Sequence, residues 1–261
     1  MPMAEDIAFG EVWLVGAGPG DPELLTRKAE RLLQAASVVF YDALVGKGVL
    51  ALIPAHVRRV AVGKRSGRHS RDQGSINDLL VAAALDGERV VRLKGGDPSL
   101  FARSMEEVDA LAAHGVSVRI CPGVTAASAA AASAAVSLSL RGLARRVQFV
   151  TAHVRSGDAL DLDWAKLADP QCTTAFYMGR TAAVEISREL IDAGLDRATP
   201  VLIACDISLP GERLLRTRLD LLPLAAKSLA DDKPTLILVG EAVGRSSACT
   251  PRQAAAAVPG V

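Results

Sequence analysis

Short apolar runs punctuate the chain, and the segments between them carry apolar residues at helical spacing. "VWLV", "SVVFYD", "VRRVAVGK", "RVVRLKGGD" and "VSVRICPG" form a first series. After a break near Ser139 to Arg146, "RRVQFVTAH", "TTAFYMG", "TPVLIACD", "ERLLRTRL" and "KPTLILVG" form a second. Strands alternating with helices predict parallel pairing through right-handed crossovers. The expected fold is α/β, with two α/β domains built on largely parallel sheets, over residues 1–140 and 141–245. Some antiparallel pairing is expected around Arg213 to Leu219, and residues 246–261 read as a loosely ordered tail.

The first run leads into a glycine turn, "VWLVGAGPGDPELL" from Val12 to Leu25. Gly16, Gly18 and Gly20 stand as G-x-G-x-G, whereas a dinucleotide fingerprint needs G-x-G-x-x-G. Asp21 reads as the N-cap of the following helix and Pro22 as its first residue. A cap carboxylate occupies the position a phosphate would take at a helix N-terminus, and Pro19 and Pro22 contribute no N–H donors. The turn therefore predicts a ligand without phosphates. Its chemistry recurs: "GPGDPELL" at Gly18 to Leu25 is echoed by "KGGDPSLF" at Lys94 to Phe101. Both turns follow strands, and open α/β sheets bind ligands at strand C-terminal ends.

Composition removes several classes of function. Half the residues are hydrophobic and only 3% aromatic, as expected where helices cover strands on both faces. A net charge of +1 provides no global field for nucleic acid or an anionic membrane. "VTAASAAAASAAVSLSL", Val124 to Leu140, is uncharged but falls short of the roughly 20 residues of a membrane span, and its Ser and Ala content predicts a closely packed helix. Cys121, Cys172, Cys205 and Cys249 are too dispersed for a zinc site or disulfide framework. Together with the absence of a signal-peptide pattern at "MPMAEDIAFG", reduced thiols predict a cytoplasmic protein. The histidines show no metal-ligand spacing, so no metal is expected, and neither G-x-S-x-G nor a P-loop lysine is present.

Local charge is more informative. Asp42 and Lys64 end apolar runs, where parallel sheets present functional side chains; the alternatives are a cap or ribose-binding acid for Asp42 and a solvated charge for Lys64. "KRSGRHSR", Lys64 to Arg71, includes Arg65 and Arg68 and reads either as a solvated loop or as a receptor for a polyanion. "FARSMEEVDALAAHG" predicts a helix over Phe101 to Gly115, with Arg103 and Glu106 on one face, as a surface ion pair or as a substrate clamp and proton carrier.

In order along the chain, "VGAGPGDPELLT", "VVFYDALV", "VGKRSGRHS", "VVRLKGGDPSLFAR", "PGVTAAS", "VTAH", "FYMG" and "PTLILVG" resemble the tetrapyrrole methylase family, from about Val12 to Val243. The resemblance is to its members that methylate uroporphyrinogen III at C2 and C7, giving precorrin-2. It implies S-adenosyl-methionine in a cleft between two domains, S-adenosyl-homocysteine as by-product, and a homodimer. Cofactor contacts implied by the motifs are Pro19, Gly95, Gly96, Asp97, Leu100, Thr125, Ala126 and Met178, with Ile207, Thr235 and Leu236 in the second half. The same resemblance implies Asp42 as proton acceptor, Lys64 as donor, roles for Arg103 and Glu106, and substrate contacts at Arg103, Arg141, Arg65 and Arg68. Family members read "PLTHR", "YDRLV" and "NGT" where this chain has "SLSLR", "YDALV" and "DIS". No segment resembles the dehydrogenase and chelatase module fused to some members, so methylation alone is expected. The other readings are a later corrin-ring methyltransferase, a diphthamide-pathway relative and, from a different class, a nicotinamide-dependent dehydrogenase.

Overall fold

A computed structural model describes residues 7–63, 73–153, 160–229 and 233–244. All ten apolar runs form strands. The first half contains β1 (Val12–Gly16), α1 (Arg27–Ala35), β2 (Val38–Tyr41), α2 (Lys47–Ala51), β3 (Arg58–Ala61), α3 (Gln73–Leu85), β4 (Val90–Lys94), α4 (Ser104–Ala112), β5 (Val118–Cys121) and α5 (Ala126–Ser133). Its sheet has the order β3-β2-β4-β1-β5 and is parallel throughout. Alternate strand residues face opposite layers. Trp13, Val15, Val39, Val91 and Leu93 pack toward α1 and α2, while Val12, Leu14, Val38, Phe40 and Val90 pack toward α3 and α4. Burial on both faces explains why these strands read as continuous apolar runs.

The second half contains β6 (Arg146–Thr151), α6 (Trp164–Leu167), β7 (Cys172–Tyr177), α7 (Ala183–Asp192), β8 (Pro200–Cys205), β9 (Arg213–Arg218), α8 (Leu222–Ser228), β10 (Thr235–Val239) and α9 (Glu241–Gly244). Here the antiparallel pairing expected around Arg213 to Leu219 is present, but it extends further than expected, so that the sheet is mixed and not largely parallel. The order is β6-β7-β10-β8-β9, and only β6–β7 is parallel. The reason is topological. β7-α7-β8 and β9-α8-β10 are both strand–helix–strand units, as the pattern predicts, but they run in opposite directions and interleave, so every pairing among these four strands joins one unit to the other. The short connection over residues 206–212 cannot make a parallel crossover and turns β8 into β9 as a hairpin.

α7 and α8 cover one face of this sheet through Ile186, Leu190, Leu222 and Ala226. The other face is covered by α5, whose Ala127, Ala129 and Ala130 pack with Ala175, Leu202, Ala204, Leu236 and Leu238. The alanine-rich segment thus forms the expected small-residue helix, and no helix among the described residues is long and apolar enough to cross a membrane.

Candidate active site

The C-terminal ends of β1, β4 and β5 meet in a floor made almost entirely of backbone. A Cβ on Gly16 would lie 2.6 Å from the Cα of Gly123 and 2.8 Å from the Gly96 carbonyl, so only glycine permits this approach. The two echoed turns pair with each other. Gly18 N–H donates to the Gly96 carbonyl at 3.2 Å and Gly96 N–H to the Gly18 carbonyl at 2.7 Å, an antiparallel bridge at the mouth of a parallel sheet. On its other side Gly96 faces open space, where a Cβ would meet nothing within 4 Å. Asp97 ties the turns together, its carboxylate accepting from Ser99 N–H at 2.7 Å and from Gly123 N–H at 2.9 Å.

Asp21 accepts from Glu23 N–H at 2.9 Å, and Pro22 opens the helical turn, as predicted. That turn is a single 3₁₀ stretch, Pro22–Leu24; α1 begins at Arg27 under a separate cap, Thr26. Asp21 N–H in turn donates to Ser208 Oγ at 3.0 Å, and Gly20 abuts Leu209, so the first glycine turn touches the β8–β9 connection. The "DIS" departure therefore forms a tether between the two halves, with Asp206 and Ser208 in the left-handed region.

The second half contributes Tyr177, at the end of β7. Its hydroxyl and Thr125 Oγ1 are 2.5 Å apart, and it accepts from Ala127 N–H at 3.2 Å at the start of α5. Burial pushes the phenol above its ordinary value. Met178 follows, half exposed at φ 57°, and Leu236 pairs with Tyr177 across the β7–β10 register. Ile207 is buried with Leu236, and Thr235 Oγ1 donates to the Lys233 carbonyl. Of the expected cofactor residues, Pro19, Gly95, Gly96, Asp97 and Leu100 lie on the loops after β1 and β4, Thr125 and Ala126 at the start of α5, Met178 and Ile207 just after β7 and β8, and Thr235 and Leu236 at the start of β10, where Leu236 is buried.

A charged edge adjoins this floor. Arg103 grips Glu106 with Nε at 2.7 Å and Nη2 at 2.6 Å, and this hydrogen-bonded pairing holds the Glu106 carboxyl below its ordinary range. Arg103 is not helical as expected. It is the N-cap of α4 at φ 54°, and Phe101 is also left-handed at 52°, so the helix starts three residues later than its apolar spacing predicts. Of the six non-glycine residues with positive φ among those described, Phe101, Arg103, Met178, Asp206 and Ser208 border this region; such strain concentrates where ligands are gripped. Asp42, at the end of β2, accepts from Leu44 N–H at 3.0 Å and faces Arg92 at 3.7 Å. Arg141 sits exposed in the turn closed by Leu140 and Ala144, with no hydrogen bond or ion pair to another described residue. Lys64, Arg65 and Arg68 lie outside the described residues.

Tyr177 and Ser208 escaped the pattern analysis, as did a buried cluster of Arg92, Lys94 and Glu107. The signal for that cluster was present: two cations interrupt the apolar run of β4, a strand buried along its whole length.

Residues 11–223 match the family described as Tetrapyrrole (Corrin/Porphyrin) Methylases. The chain belongs to the tetrapyrrole methylase family. It is 48% identical over 241 residues to uroporphyrinogen-III C-methyltransferase of Paracoccus denitrificans, covering 92% of this chain and 84% of that one. It is 45% identical to siroheme synthase of Nitrosospira multiformis, covering 92% of this methylase but spanning only 50% of the synthase. Among solved structures, cobalt precorrin-4 methyltransferase superposes with a TM-score of 0.80 at 31% identity, covering 90% of this chain and 96% of that one. Uroporphyrin-III C-methyl transferase from Thermus thermophilus, complexed with S-adenyl homocysteine, gives 0.75 at 41% identity, covering 89% and 93%.

Proposed function

We propose that this tetrapyrrole methylase transfers two methyl groups from S-adenosyl-methionine to C2 and C7 of uroporphyrinogen III, giving precorrin-2. The observation that carries the reading is the pair of bridged glycine turns, open beside Gly96 and closed to phosphate by the Asp21 cap. The close relative that methylates uroporphyrinogen III supports the substrate, and the structure complexed with S-adenyl homocysteine supports the cofactor.

The residues fit such a cofactor. Bare backbone at Gly95 and Gly96, the α5 start at Thr125 and Ala126, and half-exposed Met178 offer hydrogen-bonding edges and an apolar thioether without a cationic phosphate clamp. When bound, the cofactor supplies an electrophilic sulfonium methyl. The protein's main work is then alignment, because an electron-rich pyrrole carbon attacks directly once held in place. Asp42 takes the proton that must leave after methylation, and Lys64 supplies one where the ring requires it. Arg103, Arg141, Arg65 and Arg68 receive the acetate and propionate groups, for which a planar guanidinium is suited. Glu106 holds the Arg103 fork in shape.

We also place the protein in the cytoplasm as a homodimer; Cys121, Cys172 and Cys205 are free thiols, in keeping with a reducing compartment. Incubation with uroporphyrinogen III and S-adenosyl-methionine should yield a product two methyl groups heavier. A corrin-precursor substrate is the second reading, favoured by the 0.80 superposition; methylation of a precorrin but not of uroporphyrinogen III would establish it. Calorimetry should show S-adenosyl-homocysteine binding and NAD failing to bind; comparable affinities would refute the phosphate argument.

A further inference from the structure

Beneath the charged edge lies a group of four ionic side chains that the proposed chemistry does not use as a unit. Glu107, on α4, is completely buried. Lys94 Nζ stands 2.7 Å from Glu107 Oε2, and Arg92 Nε stands 3.2 Å from Glu107 Oε1; both cations are also buried. The Arg92 guanidinium extends onward, its Nη1 donating to the Leu93 carbonyl at 2.9 Å and standing 3.7 Å from Asp42. Arg92 is thus shared unequally, with a direct hydrogen bond to Glu107 and a looser approach to Asp42.

Charged groups buried like this are costly unless every one is paired, and replacement of a buried ion pair by apolar residues is often neutral or favourable for stability. Stability alone is therefore a poor explanation for Glu107. Its position is also unusually well braced. Gln73 Nε2, at the start of α3, donates to the same Oε1 at 3.3 Å, and Asn77 on α3 donates to the Glu106 carbonyl at 3.2 Å.

We propose that Glu107 is a positioning residue for methyl transfer: it holds the Arg92 guanidinium back from Asp42, so that the Asp42 carboxylate stays available to take a proton. The proposal rests on Asp42 being the proton acceptor. Among the described residues, Arg92 and Lys94 on β4 face Asp42; α4 places Glu107 behind those cations, with Glu106 of the Arg103–Glu106 pair near Lys94. On the β3 side, glycine backbone at Gly63 packs against Asp42. Burial lowers the Lys94 ammonium from its ordinary value, Arg92 adds to that, and Glu107 opposes it. Without Glu107, Lys94 therefore sheds its proton readily, and Arg92 is left with Asp42 as its carboxylate among the described residues.

The test is single-turnover methylation of uroporphyrinogen III against pH, with S-adenosyl-homocysteine affinity and melting temperature measured on the same preparations. In Glu107→Gln the neutral amide holds Arg92 less strongly than the carboxylate does, and the guanidinium is expected to shift toward Asp42. The rate should fall about tenfold, and the acid limb should move to lower pH, because a more fully paired carboxylate is harder to protonate. Cofactor affinity should hold. If the single variant does not fold, Lys94→Met/Glu107→Gln removes the unpaired Lys94 amine, leaves the cluster neutral and should show the same displaced limb. A wild-type rate and limb in the folded variant would overturn the proposal, as would a slower rate with an unmoved limb, which is what a purely structural role predicts. Asp42→Asn separates the two levels. Full turnover in that variant defeats the assignment of Asp42 itself, whereas a slow Asp42→Asn beside an unaltered Glu107→Gln defeats only the role of Glu107.

Discussion

Tyr177 joins the two halves through one phenol, which faces Thr125 Oγ1 and accepts from Ala127 N–H while its ring packs 5.2 Å from that of Phe101. Tyr177→Phe keeps the ring and removes both polar contacts. It should lower unfolding free energy by about 1–2 kcal/mol and weaken S-adenosyl-homocysteine binding, read by denaturant titration and calorimetry. The effect is pH-dependent with a definite sign. Burial raises this phenol above 10.0, so the unfolded chain loses the proton first. The advantage of wild type over Tyr177→Phe is complete below pH 10 and shrinks as pH climbs through the folded-state value. Arg103 works at the same scale. Arg103→Ala should reduce kcat/KM for the tetrapyrrole by about one to two powers of ten while cofactor affinity stays in place, since its partner is exposed Glu106 rather than the glycine floor. Loss of cofactor binding instead would assign this arginine to the other ligand.

Among elements, the paired turns were legible in the sequence because both carry glycines, an Asp and a Pro in the same order. What each Asp does was only half legible. Asp21 caps its turn as predicted, but Asp97 does not cap α4; its second oxygen crosses to Gly123 N–H on the β5–α5 connection, a partner 26 residues away that no local pattern reveals. Asp97→Asn can accept through only one atom, leaving one N–H unpaired. It should cost about 1–3 kcal/mol and loosen cofactor binding, checked by melting and calorimetry on one preparation. The start of α4 departs from the pattern for a related reason. Apolar periodicity continues back to Phe101, but the backbone at Phe101 and Arg103 is left-handed, a conformation residue identity does not favour. Glu107 was hidden because it occupies a charged stretch, "SMEEVDALA", that reads as solvent-facing until Lys94 and Arg92 are placed beside it.

At the level of the whole molecule, the positions of the ten strands followed from apolar runs, whereas the pairing in the second sheet did so only for the antiparallel strand at Arg213–Arg218. Periodicity reports that a residue is buried, not which strand lies beside it, and two interleaved crossover units leave the same imprint as two stacked ones. The division of labour between halves was likewise invisible. α5 precedes the break near Ser139 to Arg146, yet its alanines are packed into the core of the sheet that follows that break. A chain cut in this connection would leave the second sheet with one greasy side bare, and the first half trailing a helix with too little side chain to hold itself together in water. The separate pieces should therefore be poorly soluble when expressed alone and recover activity when produced together. The intact enzyme should melt in a single calorimetric transition; two well-separated transitions would show that α5 does not couple the halves.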